Sequence, residues 1–157
     1  MGVSGSGKTT VAQAMAEALQ VAFIEGDDLH PAANRAKMRS GTPLDDEDRW
    51  PWLDEVARRL GAPGDGAVAS CSALRRSYRD RIRRTVPDAW FLHLHGDPAL
   101  LERRQATRKG HFMPPSLMQS QLDTLEPLQP DEPGLLLDVA AEPESLMEQA
   151  LAVLTRR

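Results

Sequence analysis

Cysteine is nearly absent. Cys71 stands alone among 157 residues, so no disulfide can form within the chain. That suits a reducing compartment, and the expectation is a cytoplasmic protein. Aromatic residues make up only 4%, too few for the stacking platforms that hold unpaired bases. No apolar run approaches the roughly 20 residues of a membrane span. No basic stretch followed by an apolar core opens the chain as a secretion signal would. A large charge of one sign is lacking too. The 19 Lys and Arg against 23 Asp and Glu leave a net charge of −4, which gives no general attraction to nucleic acid or anionic lipid. Neither class of partner is expected. No internal repeat and no low-complexity segment is visible.

What is present is ordinary for a globular protein. Hydrophobic residues make up 41%, and the length suits one domain over residues 1–157 with a real core. Apolar runs at 21–27, 66–73, 90–97 and 135–141 read as strands. Helical spacing marks 9–20, 30–41, 45–62, 74–85, 98–108, 116–126 and 142–157. In 45–62 the acidic residues come first and the basic ones last, as a helix dipole favours, and Pro51 fits only near that helix's start. Strands alternating with helices predict an α/β fold, a parallel sheet with helices on both faces.

The most telling stretch is Gly2-Val-Ser-Gly-Ser-Gly-Lys-Thr9, which fits G-x-x-x-x-G-K-[ST] and runs straight into a helix. Glycines let backbone N–H groups turn inward to cradle phosphates, and the helix adds its positive end. Gly2, Ser4, Gly5, Ser6, Gly7, Lys8, Thr9 and Thr10 are therefore the expected nucleotide site. Lys8 would reach the β- and γ-phosphates, and Thr9 would hold Mg²⁺ through its hydroxyl. The motif does not choose between a GTPase, an ATPase and a small-molecule kinase.

The acceptor is expected around residues 26–53, which begin at a strand end, where ligands sit in open parallel sheets. Asp27 is placed to orient or deprotonate a hydroxyl, or to join the Mg²⁺ shell. His30, Asn34 and Lys37 are spaced to share one helical face. Imidazole, amide and ammonium together suit a polyhydroxylated anion. Arg75, Arg76 and Arg79 begin the helix after the second strand. They read either as a solvated face or as an anion site. Cys71 reads as a buried small residue, since phosphoryl transfer needs no protein nucleophile.

The stretches GVSGSGKT, GDDLHP, NRAKMRSGTPLDDEDRWPWL, CSALRRSYRDRIR, RKGHF and QSQLDTLEP together resemble the gluconokinase family. These small P-loop kinases use ATP to phosphorylate D-gluconate at its 6-hydroxyl, and their fold is similar to that of shikimate and nucleoside monophosphate kinases. The resemblance spans residues 2–127. It implies that Asp27 activates the sugar hydroxyl, that His30, Lys37, Arg75, Arg79 and His111 lie around gluconate, and that residues 28–60 form the substrate-binding section. It also implies a mobile lid at about 104–115, with Arg104 and Arg108 neutralising the transferring phosphoryl group, and it suggests a homodimer. Two other readings stand beside it: another small-molecule kinase of shikimate type, and a non-catalytic nucleotide-binding module. The linker PLQPDEPG and the extra Asp28 are minor departures.

The large departure is another absence. In the family an apolar strand leads into the phosphate loop, and here only Met1 could belong to it. Losing a central strand would unpair two rows of backbone groups and open a slot in the core. The expectation is that Met1 is an internal methionine of a longer reading frame, with a real truncation and a strand supplied by another chain as the rival readings.

Overall fold

The computed structural model describes residues 1–107 and 114–154. Among these residues four strands form in chain order: β1 (Ala22–Glu25), β2 (Ala67–Ser70), β3 (Phe91–His95) and β4 (Gly134–Asp138). Seven helices accompany them: α1 (Lys8–Leu19), α2 (Ala32–Arg39), α3 (Asp46–Leu60), α4 (Arg76–Thr85), α5 (Pro98–Thr107), α6 (Pro115–Thr124) and α7 (Pro143–Leu154). Each sits within a few residues of where apolar periodicity puts it. The periodicity does not show the 3₁₀ turn Gly26–Leu29 that follows β1.

Strand pairing is parallel throughout, but the sheet comes in two halves. β1 pairs with β2, setting Glu25 opposite Ser70, and β3 pairs with β4. Among the described residues, only Met1 and Gly2 bond to the backbone on both sides of the gap between the halves. The Met1 amine donates to Leu92 O, Leu94 N donates to Met1 O at 2.9 Å, and Gly2 N donates to Ser72 O at 3.3 Å. That is one rung of a parallel strand, joined to both neighbours. Among the described residues no strand precedes the phosphate loop. The rest of the gap is an apolar cavity of about 350 Å³. Val11, Met15, Val68, Phe91 and Leu92 help to line it.

Each face of the sheet has its own core. On one, Val11 and Met15 of α1, Leu101 of α5, Met118 of α6 and Leu146 of α7 meet Leu94 and Leu137. On the other, Trp52, Leu53 and Val56 of α3 and Tyr78 and Ile82 of α4 pack with Cys71 and Phe91. Helices therefore cover both faces, as alternating apolar strands require. Cys71 is buried, and burial pushes its thiol up to about 11, so it is inert packing.

The place of Pro51 in α3 and the start of α2 were less legible. Helix α3 opens with a reciprocal capping box, Asp45 with Asp48. The helix is set before Pro51, so the proline falls in the second turn and removes one internal rung. Helix α2 begins at Ala32, with Pro31 at its cap. His30 is consequently outside the helix that was expected to carry it.

Candidate active site

The phosphate loop joins Met1–Gly2 to α1. Gly7 caps the helix at φ 85°, a left-handed backbone that disfavours side chains. The helix has no side-chain cap and no acidic residue in its first turn, so its positive end is left for an anion. Lys8 Nζ donates to Val3 O at 2.9 Å, folding the ammonium over the loop. Thr10 is exposed on the first turn of α1.

Thr9 connects the loop to β1. Its hydroxyl donates to Glu25 Oε2 at 2.8 Å. The other oxygen of Glu25 accepts from the Ser70 hydroxyl and, at 3.4 Å, from the Asp27 N–H. One carboxylate thus ties the phosphate loop, the end of β2 and the turn that presents Asp27. Sequence reasoning passed over Glu25. The available signal was its place as the last residue of an apolar strand, where a carboxylate reaches the sheet's carboxyl edge.

The donor set suits a hard cation. Thr9, Glu25 and Asp27 all offer side-chain oxygen atoms. Among the described residues, no three His, Cys, Asp or Glu side chains gather as a complete metal site. Mg²⁺ held by one or two carboxylates plus substrate phosphates needs no more than this.

Close packing holds the Asp27 turn. A Cβ on Gly26 would lie 2.2 Å from Ser70 O, so only glycine fits. Trp52 is fully buried and donates from Nε1 to Gly26 O at 2.7 Å. Its indole stacks on the His30 imidazole, centroids 4.2 Å apart. Asp27 itself is exposed.

The expected face of His30, Asn34 and Lys37 divides. His30 is 5% exposed, and burial, with Arg49 and Arg35 nearby, holds its pKa near 4. It is therefore neutral at pH 7. Asn34 is buried too, donating to Asp48 O at 2.7 Å and lying 3.3 Å from His30 Nδ1. Only Lys37 reaches solvent, and it pairs with Asp48 at 2.7 Å.

The arginines of α4 divide as well. Arg75 is half-exposed and contacts Asp46 at 3.1 Å. Asp46 also accepts from the Tyr78 hydroxyl at 2.5 Å. These groups, with Leu44, Asp45, Glu47 and Thr124, line a cavity of about 470 Å³. Arg76 points away to Asp131 at 2.7 Å. Arg79 is 0% exposed. It forms a bidentate pair with Glu132, at 2.5 and 2.8 Å, and donates to the carbonyls of Ala73, Leu74, Glu126 and Pro127. The structure does not bring Arg79 to the cavity with Arg75. Arg104 is exposed on α5, while Arg108 and His111 lie outside the described residues.

Residues 1–128 match a family model described as an AAA domain. The chain is 46% identical to a gluconokinase of Gluconobacter oxydans over 154 residues, covering 96% of this chain and 86% of that one. It is 41% identical to the thermosensitive gluconokinase of Escherichia coli, covering 100% of this chain and 88% of the other. A crystal structure of a gluconokinase from Sinorhizobium meliloti superposes with a TM-score of 0.92 at 49% identity, covering 99% of this chain and 89% of that one. A shikimate kinase from Bacteroides thetaiotaomicron shares the fold, with a TM-score of 0.69 at 18% identity, covering 99% of this chain and 96% of that one. The phosphate loop, the carboxylates of the first strand end and these relatives place the chain in the gluconokinase family of P-loop kinases.

Proposed function

We propose that this chain transfers the γ-phosphoryl group of ATP to the 6-hydroxyl of D-gluconate, releasing ADP and 6-phospho-D-gluconate. The observation that carries the reading is the Glu25 carboxylate, which joins Thr9 of the phosphate loop to the turn bearing Asp27. Nucleotide and acceptor sites are thereby held side by side.

The loop residues Gly2, Ser4, Gly5, Ser6, Gly7, Lys8, Thr9 and Thr10 bind the ATP phosphates. Lys8 leaves Val3 O to follow the transferring charge. Thr9, Asp27 and Glu25 would hold Mg²⁺. Bound there, the ion supplies positive charge against the phosphate oxygens. Asp27 accepts the hydroxyl proton at its carboxylate. The hydroxyl oxygen then bonds to the γ-phosphorus as the bond to the β-γ bridging oxygen breaks. Lys37 and Arg75 are half-exposed cations on the acceptor side, each sharing a carboxylate of α3. They meet the anionic substrate by exchanging that partner. His30 supports the Asp27 turn from below. Residues 28–60 make up the acceptor section. Arg104 of α5 would neutralise charge on the transferring phosphoryl group, while Arg108 and His111 of the expected lid lie outside the described residues. A cytoplasmic homodimer belongs to the same reading, and sedimentation of the purified protein tests the dimer.

Gluconate-dependent ADP formation from Mg²⁺-ATP tests the reaction, with shikimate as competitor and a no-acceptor control. Turnover with gluconate alone supports it. Turnover with shikimate, or ATP binding without any acceptor-dependent turnover, overturns it.

A further inference from the structure

Ser4 lies inside the phosphate loop and is 8% exposed. Two glutamines from outside the loop hold it. Gln121 of α6 accepts from the Ser4 N–H through Oε1 at 2.7 Å. Gln105 of α5 accepts from the Ser4 hydroxyl through Oε1 at 2.7 Å, in a fully buried bond. The next residue presses on the same helix: a Cβ on Gly5 would lie 2.8 Å from Leu101 O.

A loop with three glycines at positive φ, Gly2, Gly5 and Gly7, has much backbone freedom to lose on binding phosphate. Fixing it beforehand improves affinity. Glutamine is a costly residue to immobilise, since its side chain gives up several rotors. Two of them converging on one serine make a built clamp. Gln105 also follows Arg104 directly, so the bond that fixes Gln105 fixes the rotation of α5 and the direction in which Arg104 leaves it.

We propose that Gln105 and Gln121 are positioning residues for phosphoryl transfer, clamping Ser4 to α5 and α6 so that the phosphate loop keeps its binding shape and moves as one body with Arg104. The proposal rests on reading the loop as an ATP site and is independent of the acceptor.

The test is binding of a fluorescent ATP analogue, with steady-state kinetics, on five variants and a Lys8→Ala control. Gln121→Leu leaves a buried N–H without its acceptor and should weaken analogue binding about tenfold. Gln121→Glu keeps an acceptor and should recover to within about threefold. Ser4→Ala and Gln105→Leu should each lower kcat/KM for ATP several-fold, and the double variant no further than either alone, as for two ends of one bond. Variants that bind and turn over within about twofold of the unaltered chain overturn the proposal while Lys8→Ala still loses binding. So do additive losses in the double variant. A lower Tm with unchanged affinity marks a merely structural role and overturns it as well. If Gln121→Leu does not fold, the Ser4–Gln105 cycle decides alone. An unaltered chain that fails to bind the analogue brings down the ATP reading and the proposal with it.

Discussion

Arg75 and Arg79 differ by one helical turn and have opposite fates. Both are guanidinium groups near a strand end, and both suit an anionic substrate. Yet positions 78, 79 and 82 make one stripe at helical spacing on which Tyr78 and Ile82 are buried, whereas Arg75 is the cap ahead of the first turn. The stripe puts Arg79 inside, where only Glu132 and four carbonyls can compensate its charge. Breaking such a buried pair costs about 3–5 kcal/mol. Arg79→Met should therefore lower Tm by roughly 10 °C, since a chain of this size loses about 2–4 °C per kcal/mol. Arg75→Met removes a half-exposed contact worth less than about 1 kcal/mol. It should leave Tm nearly unchanged and raise KM for gluconate. Melting curves and kinetics on the two variants separate the roles. The two carboxylates at the end of β1 separate likewise. Asp27→Asn should lower kcat by about 10²-fold or more, as loss of a general base does. Glu25→Ala should raise the Mg²⁺ concentration for half-maximal rate by about 10–100-fold, because Glu25 orients the Thr9 hydroxyl. A Mg²⁺ titration checks it.

At the scale of elements, the strands and helices were readable because apolar periodicity reports which side of each segment is buried. The places where the reading slipped are local. Pro31 starts α2 after His30, and the Asp45–Asp48 capping box starts α3 ahead of Pro51. In the first, proline disfavours a helical backbone at the residue before it, and in the second a cap interaction outweighs the spacing of apolar residues. The join between the half-sheets is the other matter decided at this scale. Met1 and Gly2 form one rung, and Ala67 at the far end of β2 lies five residues before Ser72. An apolar extension of about five residues fused ahead of Met1 would run the length of the cavity, pairing with β2 and β3 at once. Burying several large side chains at roughly 1.5–3 kcal/mol each outweighs the cost of ordering a short strand. Thermal melting should show a rise on the order of 10 °C, and an extension of the same length in Gly and Ser should show none.

For the molecule as a whole, stability should depend on pH through two histidines. His30, under Trp52, and His93, in the middle of β3, are each held near pKa 4 by burial, against an ordinary 6.5. Arg49 and Arg35 add to the effect at His30. At His93 the Met1 amine, His95 and Arg79 do so, while Glu132 opposes. Between pH 6.5 and 4 the unfolded chain takes up protons that the folded chain refuses. The contribution of these two histidines is thus complete above pH 6.5 and falls as pH falls through that window. Each pH unit well inside it costs about 1.4 kcal/mol per histidine. Neither ring nitrogen of His93 has a hydrogen-bond partner. His93→Leu should therefore flatten the slope of Tm between pH 7 and 5 without loss at pH 7, and a series of melts in that range measures it.

The amino-acid sequence by itself determined the elements, the phosphate loop and the place of Asp27 just past the first strand. Those features rest on local geometry: helical and strand periods, glycines that permit a left-handed backbone, and a motif of contiguous residues. What only the tertiary structure decided was which chemically equivalent groups meet. Glu25 joins the site because parallel pairing sets it opposite Ser70 and beside Thr9. Arg79 leaves it because Glu132, 53 residues away, takes its guanidinium. Ser4 is held by two glutamines more than 100 residues distant. Contacts across such separations depend on how strands and helices stack, and no short-range pattern in the chain encodes that.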